Sequence, residues 1–247
     1  MPRLLPTTCG DGPEQMSCDE ALLTAATVPT LRLYRWDPAT VSLGCFQEWP
    51  AIARTLPPSM RPGGTVVRRI TGGGAIWHEH EVTYALVGRL GHDGFPSQAR
   101  DLYPLLHAAV AHRLRLHGSQ PQRQDQAAGD RHYREEPRCF ASPAIDDLVA
   151  DGGGKLLGSA ARARGERVLI HGSLKLASNP WDGATVSGCG LSWEDAAAAL
   201  RDGIAEALGA RLESGEWTAA EIAARDAIRN ARYSDERWVT ERIGPRP

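Results

Sequence analysis

Residues 68–75 form the most distinctive segment of this chain and read Arg68-Arg69-Ile70-Thr71-Gly72-Gly73-Gly74-Ala75. Three consecutive glycines separate a β-branched run, Thr65 to Ile70, from a second short apolar run, Ala75 to Trp77. Glycine lets a backbone approach a ligand closely and present its N–H groups, and neighbouring arginines favour an anionic or carbonyl-rich ligand. The segment therefore predicts a site for a polar head group, but a glycine hairpin with two solvated arginines fits the spacing equally well.

A second group of motifs follows later in the chain. It consists of Cys139-Phe140, Asp147-Leu148-Val149, Gly154-Lys155-Leu156-Leu157-Gly158-Ser159-Ala160 and His171-Gly172-Ser173-Leu174. A lysine between glycines and an apolar strand can point into a cleft, where its ammonium group stabilises negative charge on a carbonyl or phosphoryl oxygen. Cys139 follows Arg138, a cation that favours a reactive thiolate. A solvated lysine at a hairpin tip and an unreactive packed cysteine are the alternatives.

Two histidines, His78 and His80, flank Glu79 shortly after the glycines, and Glu81 follows them. A metal site needs further ligands at a recognisable spacing, and the sequence offers none. We therefore expect these histidines to be hydrogen-bonded or solvated, and we expect no bound metal.

Composition excludes several classes of function. The 247 residues are 42% apolar and carry 28 Lys+Arg against 30 Asp+Glu, a net charge of −2, which is typical of one globular domain over 1–247 and argues against nucleic-acid binding. No apolar stretch approaches the ~18 residues of a membrane span, and Met1 to Gly12 lacks the pattern of a signal peptide. The five cysteines include no C-x-x-C pair, which indicates reduced thiols and a cytoplasmic protein.

Hydrophobic periodicity predicts alternating strands and helices. Residues 118–137 are polar and without period, which indicates a mobile loop. The turn dipeptide Asp37-Pro38 predicts that the first two strands pair. Strands are expected at Leu31–Tyr34, Val41–Leu43, Thr65–Ile70, Ala75–Trp77, Val82–Leu90, Asp147–Ala150, Lys155–Ala161 and Arg167–Leu174, and helices at Gln15–Ala26, Ser97–Leu116, Trp193–Leu208 and Thr218–Ala231, so that 192–247 is mainly helical.

Taken together and in this order, R-R-I-T-G-G-G-A-I-W-H, D-L-V, G-K-L-L-G-S-A and H-G-S-L resemble the biotin/lipoate A/B protein ligase superfamily, in its lipoate-ligase and octanoyltransferase branch. The resemblance covers nearly the whole chain. It implies an α+β fold, a single catalytic domain with mixed central β-sheets flanked by helices. It also implies substrate-binding roles for Arg68, Arg69, Thr71, Gly72, Gly73, Gly74, Ala75, His78, Gly158, Ser159, Ala160, His171, Gly172 and Ser173.

Within that branch, Cys139-Phe140-x-x-Pro143 is similar to the cysteine segment of octanoyltransferases that act on the glycine cleavage H protein. This similarity implies that the Cys139 thiolate carries an octanoyl group taken from acyl carrier protein, while Lys155 holds the carbonyl oxygen. The acceptor would then be a lysine of a lipoyl-domain protein, with no cofactor. Arg68 and Arg69 could alternatively steer an acidic carrier toward the site.

Three alternatives remain open on the sequence. Ser187-Gly188-Cys189-Gly190-Leu191 faintly resembles the Pro-Cys-Gly setting of a second octanoyltransferase class, so Cys189 is a rival nucleophile, although Ser192 resembles a helix cap. An ATP-dependent lipoate ligase would use Lys155 to bind the adenylate phosphate and would need ATP and Mg²⁺. A binding module with the same fold would perform no reaction.

Overall fold

The computed structural model describes residues 1–58, 65–126, 136–182, 186 and 188–242, and these contain twelve strands. In chain order the strands are β1 (Arg3–Leu4), β2 (Thr8–Gly10), β3 (Thr30–Trp36), β4 (Thr40–Leu43), β5 (Thr65–Arg68), β6 (Ile76–His78), β7 (Glu81–Arg89), β8 (Gln122–Arg123), β9 (Leu148–Val149), β10 (Lys155–Arg164), β11 (Arg167–Lys175) and β12 (Glu213–Ser214).

Six α-helices occur in the same residues, with a 3₁₀ turn at Ala99–Asp101 and a π-helical turn at Arg229–Tyr233. The helices are α1 (Gly12–Ala25), α2 (Trp49–Ala53), α3 (Leu102–Leu116), α4 (Trp193–Ala207), α5 (Ala219–Ile228) and α6 (Glu236–Glu241). Asp11 caps α1 by accepting a hydrogen bond from the Glu14 N–H, and Ser192 caps α4 as expected. The C-terminal part, predicted to be mainly helical, contains α4, α5 and α6 but also the short strand β12 between α4 and α5, and 243–247 lie outside the described residues.

The strands of the described residues form two sheets. The large sheet has the order β12-β1-β3-β7-β11-β10-β9-β8, with β2 also paired to β3, and the small sheet has the order β5-β4-β6. The expected pairing of the first two long strands is wrong, because β3 lies in the large sheet and β4 in the small one. The predicted loop 118–137 contains the short strand β8, and its residues 127–135 lie outside the described part.

Strand alternation explains how the large sheet is covered on both faces. Along β7, Tyr84 and Leu86 pack with α3 and α4 in the largest core cluster, whereas Ala85 and Val87 pack with α1 in a second cluster. Successive side chains of a strand point to opposite faces, so one strand serves both cores. The expected α+β class is confirmed, and no helix in the described part of the chain is long and apolar enough to cross a membrane.

Candidate active site

The glycine segment between β5 and β6 holds the backbone of Cys139. The N–H of Ala75 donates to the carbonyl of Pro137 (2.8 Å), and the N–H of Cys139 donates to the carbonyl of Ala75 (2.9 Å). A Cβ atom on Gly74 would lie 2.7 Å from the Cys139 nitrogen and 2.8 Å from the Pro137 oxygen. The glycine is therefore required for the close approach of two backbones, and it brings the two sequence motifs together.

Lys155 and Cys139 meet at the start of β10. Lys155 Nζ lies 3.3 Å from Cys139 Sγ and 2.7 Å from Asp147 Oδ2, and it also donates to the Cys139 carbonyl oxygen. A Cβ on Gly158 would lie 2.6 Å from Nζ, so this glycine provides the space that the lysine occupies. Lys155 is only 3% exposed, which excludes the alternative of a solvated lysine at a hairpin tip.

The charge state of Lys155 follows from its partners. Burial by itself lowers the pKa of Lys155, but the negative charges of Cys139 and Asp147, with their hydrogen bonds, raise this pKa above its ordinary value. The side chain is therefore an ammonium ion at neutral pH. This ammonium ion lies 3.3 Å from Sγ, where it can donate to the Cys139 thiolate that reacts with acyl carbons.

Two neighbouring pockets meet at Cys139. The first is lined by both sheets, with Met16, Trp36 and Ile76 among its apolar residues. The second is a cleft that contains Lys155 and Asp147. Cys139 lines both pockets, as Gly73 and Ser159 do. A ligand with an apolar chain and a polar head can therefore place its reactive carbon between the two pockets.

The structure places most of the predicted substrate-binding residues around these pockets. Those lining the first pocket are Arg69, Gly73, His78, Gly158, Ser159, Ala160, His171, Gly172 and Ser173. Gly74 lines the cleft beside Lys155, and Gly72 lines a more open depression next to it. Ala75 acts through its backbone, as described above.

Gly74→Ala tests the contact between the glycine segment and the cysteine backbone. The added methyl group forces Cys139 to move, and a displacement of about 1 Å at a reacting group costs on the order of 100-fold in rate. We expect a comparable loss of acyl-transfer kcat with little change in the thermal unfolding temperature. Gly72→Ala is the matched comparison, since its methyl group would meet only Phe46 at 4.0 Å, and equal losses in both variants would contradict the prediction.

The two arginines have a structural role that the sequence did not indicate. Arg69 is 4% exposed and donates to the carbonyl oxygens of Gly72 (2.7 Å) and Gly74 (2.8 Å). Arg68 is fully buried and donates to carbonyl oxygens near α6, including that of Trp238 (3.0 Å). The expectations of solvated arginines and of arginines that steer an acidic carrier are therefore wrong, because neither guanidinium is a surface charge. Arg68 also lies outside the pockets.

Thr71 and His171 belong to a buried chain of hydrogen bonds. His171 Nδ1 lies 2.8 Å from Asp19 Oδ2, and His171 Nε2 lies 2.6 Å from Thr71 Oγ1. Arg32 and Tyr34 also donate to the Asp19 carboxylate. Both nitrogens of the His171 ring are thus occupied, and its contribution to the first pocket is the shape of the wall.

His78 forms part of a buried cluster centred on Glu81. Glu81 accepts from Thr83 and Ser173, lies 2.6 Å from His78 Nδ1 and 3.0 Å from Lys175 Nζ. The histidine is hydrogen-bonded as expected, and its ring stacks on Trp36 at 4.0 Å. In the described part of the chain, no group of three His, Cys, Asp or Glu side chains is arranged to hold a metal ion.

Glu81 makes the stability of the protein depend on pH. Burial by itself raises the pKa of Glu81, but His78, Lys175 and the hydrogen bonds lower it to about 2. A lowered carboxyl pKa stabilises the fold above about pH 4.5, and this contribution, about 3 kcal/mol, is lost as the pH falls toward 2. Denaturant unfolding should therefore show a steeper loss of stability between pH 5 and pH 2 in the unaltered protein than in Glu81→Gln. The same dependence of unfolding free energy on pH in both proteins would contradict this prediction.

The rival nucleophile lies elsewhere. Cys189 is 7% exposed and packs in the largest core cluster, where burial raises the pKa of its thiol. It lines neither of the two pockets that meet at Cys139. Ser187, part of the motif that suggested this alternative, lies outside the described residues. The geometry therefore favours Cys139 over Cys189 as the nucleophile.

Several residues of the site were given no role on the basis of the sequence. Asp147 was recognised only as the start of a strand motif, and Asp19 only as part of a helix. Gln47 donates to the Pro137 carbonyl (2.8 Å) and lines the cleft. The only sequence signal for Asp147 was an acidic residue next to an apolar run. Its ion pair with Lys155 could not be predicted, because it depends on β9 lying next to β10.

The fold and the site together define an α+β domain in which an apolar pocket adjoins a buried lysine and a cysteine, as expected of an acyl-binding enzyme domain. A family profile described as the lipoyl protein ligase A/B catalytic domain matches residues 11–190. The chain belongs to this family, and the resemblance found in the sequence is confirmed.

Individual relatives agree with this membership. The chain is 34% identical over 269 residues to the octanoyltransferase LipM of Kyrpidia tusciae, covering 96% of this chain and 97% of that protein. It is 38% identical over 181 residues to the octanoyltransferase LipM of Moorella thermoacetica, covering 72% and 66%. A solved chain of an archaeal lipoylation system from Thermoplasma acidophilum, a bi-partite lipoate protein ligase and its E2 lipoyl domain, has a TM-score of 0.75 at 20% identity and covers 98% and 97%. This last similarity shows a shared fold alone.

Proposed function

We propose that this chain is an octanoyltransferase of protein lipoylation. It moves an octanoyl group from acyl carrier protein to a lysine of a lipoyl-domain protein, such as the glycine cleavage H protein, through an acyl-cysteine intermediate. The observation that carries the proposal is the position of Cys139 Sγ, which lies between the two pockets and 3.3 Å from Lys155 Nζ. The similarity to octanoyltransferases over nearly the whole chain supports it.

In the first step the Cys139 thiolate attacks the carbonyl carbon of the donor thioester. A new carbon–sulfur bond forms to Cys139, the bond to the donor sulfur breaks, and the donor leaves as a thiolate that takes up a proton. The octanoyl chain occupies the first pocket, whose lining includes Met16, Trp36 and Ile76. The Lys155 ammonium donates to the carbonyl oxygen as negative charge develops on it.

In the second step the neutral ε-amine of the acceptor lysine attacks the acyl-cysteine. A carbon–nitrogen bond forms, the carbon–sulfur bond to Cys139 breaks, and the amine loses one proton to solvent while the thiolate is regenerated. Lys155 again holds the carbonyl oxygen. Because a thioester is kept until the amide forms, the reaction needs neither ATP nor another cofactor.

The test is transfer from octanoyl-acyl carrier protein to a purified lipoyl-domain protein, followed by mass spectrometry of both proteins with and without ATP. The proposal expects an octanoyl amide on the acceptor without ATP and an octanoyl adduct on Cys139 when the acceptor is omitted. Product that forms from free octanoate or lipoate only with ATP and Mg²⁺ would identify a ligase. Binding of the carrier without either product would identify a binding module.

A further inference from the structure

Lysines are rare in this chain, and both of them are buried. Only Lys155 and Lys175 occur among the 28 basic residues, and they are 3% and 0% exposed. Lys175 Nζ is held by Glu81 (3.0 Å) and Asp182 (3.3 Å). The ring of Phe140 lies 5.4 Å from Lys155 Nζ and 5.0 Å from Lys175 Nζ, next along the chain from Cys139. Lys155 is therefore the lysine placed directly at the cysteine.

This placement creates a chemical hazard, given the acyl-cysteine intermediate of the proposed function on which the inference rests. The carbonyl carbon of an acyl group on Cys139 is one bond from Sγ, and Lys155 Nζ is 3.3 Å from Sγ. Reacting atoms at about 3–3.5 Å are in a position for attack. A neutral Lys155 amine would take the acyl group: a carbon–nitrogen bond forms, the carbon–sulfur bond breaks, a proton leaves the amine and the thiolate returns. The resulting amide would permanently block the site.

Asp147 is positioned to prevent this reaction. Its Oδ2 lies 2.7 Å from Lys155 Nζ, and the carboxylate and the ammonium are both almost completely buried. Asp147 is itself held firmly, because Oδ2 also accepts from the Ala144 N–H (2.6 Å) and the Asp147 N–H donates to the Ala144 carbonyl (3.1 Å). An ammonium ion has no lone pair with which to attack a carbonyl carbon.

We propose that Asp147 protects the protein from acylating itself, by keeping Lys155 an ammonium ion that cannot capture the acyl group carried by Cys139. Asp147 is a positioning residue, which acts through Lys155 and never contacts the acyl carbon. The pKa of Lys155 fits this role, since burial lowers it and the charges of Cys139 and Asp147 raise it. Once Cys139 carries an acyl group its sulfur has no charge, and of these two groups Asp147 alone still raises the pKa of Lys155.

The experiment compares adducts on Asp147→Asn and on the unaltered protein, each incubated with octanoyl-acyl carrier protein without an acceptor. Hydroxylamine cleaves thioesters and leaves amides intact, and peptide mapping of a chain with two lysines assigns the amide without ambiguity. Each pKa unit that Lys155 loses raises its neutral fraction about tenfold. We therefore expect at least a tenfold increase of hydroxylamine-resistant octanoyl amide at Lys155 in the variant, and none at Lys175.

Three control variants isolate the charge of Asp147. Asp146→Asn makes the same change at the neighbouring carboxylate, which lies 3.5 Å from Arg123, and it should form no amide. Asp147→Glu restores the charge and should lower the amide relative to Asp147→Asn. Cys139→Ser combined with Asp147→Asn should form no amide, because the acyl group must pass through the thiolate.

The outcomes separate this inference from the proposed function. Asp147→Ser is a second variant without the charge, for use if Asp147→Asn does not fold. A cleavable thioester on Cys139 in both proteins, without extra amide at Lys155 in either uncharged variant, would overturn the inference and leave the transferase function standing. No thioester on Cys139 even in the unaltered protein would overturn both.

Discussion

Cys139→Ser should reduce octanoyl transfer to the lipoyl-domain acceptor by roughly 10³-fold or more, the scale of loss when a nucleophile is removed. A serine hydroxyl is not ionised at neutral pH, so the ammonium of Lys155, which lies 3.3 Å from the Cys139 sulfur, has no anionic nucleophile to stabilise. The change is nearly isosteric, so the fold should be retained. The measurements are the rate of amide formation on the acceptor and the mass of the enzyme after exposure to octanoyl-acyl carrier protein.

Cys189→Ser is the matched control for this variant. It makes the same atomic change in a thiol that packs in the core, so it should lower thermal stability while most transfer activity remains. Cys139→Ser with full activity would remove the proposed intermediate. A large loss of activity in Cys189→Ser, with the fold intact, would instead identify Cys189 as the nucleophile, as expected for the second octanoyltransferase class.

Lys155→Met should lower the rate of acyl-enzyme formation by about 10²–10³-fold, corresponding to the ~2.7–4 kcal/mol of one oxyanion donor. Methionine preserves most of the volume of the side chain and removes the charge that the developing oxyanion needs. Binding of the acyl donor should change much less than kcat, because the octanoyl chain occupies a pocket lined by other residues. Single-turnover mass spectrometry of the Cys139 adduct measures the step directly.

The Asp147 carboxylate complicates Lys155→Met, because it is left buried without its partner. The double variant Lys155→Met with Asp147→Asn removes both charges and should recover stability but not activity. Recovery of activity in the double variant would show that the lysine is needed only to neutralise Asp147. Lys155→Arg, which keeps a positive charge but cannot fill the same space beside Gly158, should retain partial activity.

Many residues of the site could be identified from short sequence motifs. Three glycines indicated close backbone contacts, and the motifs around Lys155 and Cys139 marked both as candidate catalytic residues, although a solvated lysine and a packed cysteine stayed open. The longer strands and helices were predicted within a few residues, because alternating and helical hydrophobic patterns reflect burial on one face. The short strands β1, β2, β8 and β12 and the short helices α2 and α6 were missed. The first strand pair was wrong, since a turn dipeptide does not show whether the chain continues in the same sheet or crosses to another.

The long-range partners were not predictable in the same way. Arg68 and Arg69 looked like surface charges, yet the carbonyls that they bind come from the small sheet, the glycine segment and the region of α6. Seven residues, which include a triple glycine, separate Asp147 from Lys155, and the pairing of β9 with β10 brings the two side chains to 2.7 Å.

From its sequence alone this protein is an α+β chain of the lipoyl ligase family with a lysine, a cysteine and two glycine segments suited to acyl chemistry. The family and its acyl chemistry follow from the resemblance of the motifs taken together, whereas the glycine segments and the pattern of strands and helices follow from backbone freedom and hydrophobic period, which are local properties of the chain. The resemblance already favoured Cys139 over Cys189, but the packing of Cys189 in the core, the burial of both arginines and the contact of Asp147 with Lys155 came from the folded arrangement. They depend on which distant segments share a pocket or a core, because burial and charge pairing arise only when those segments pack together.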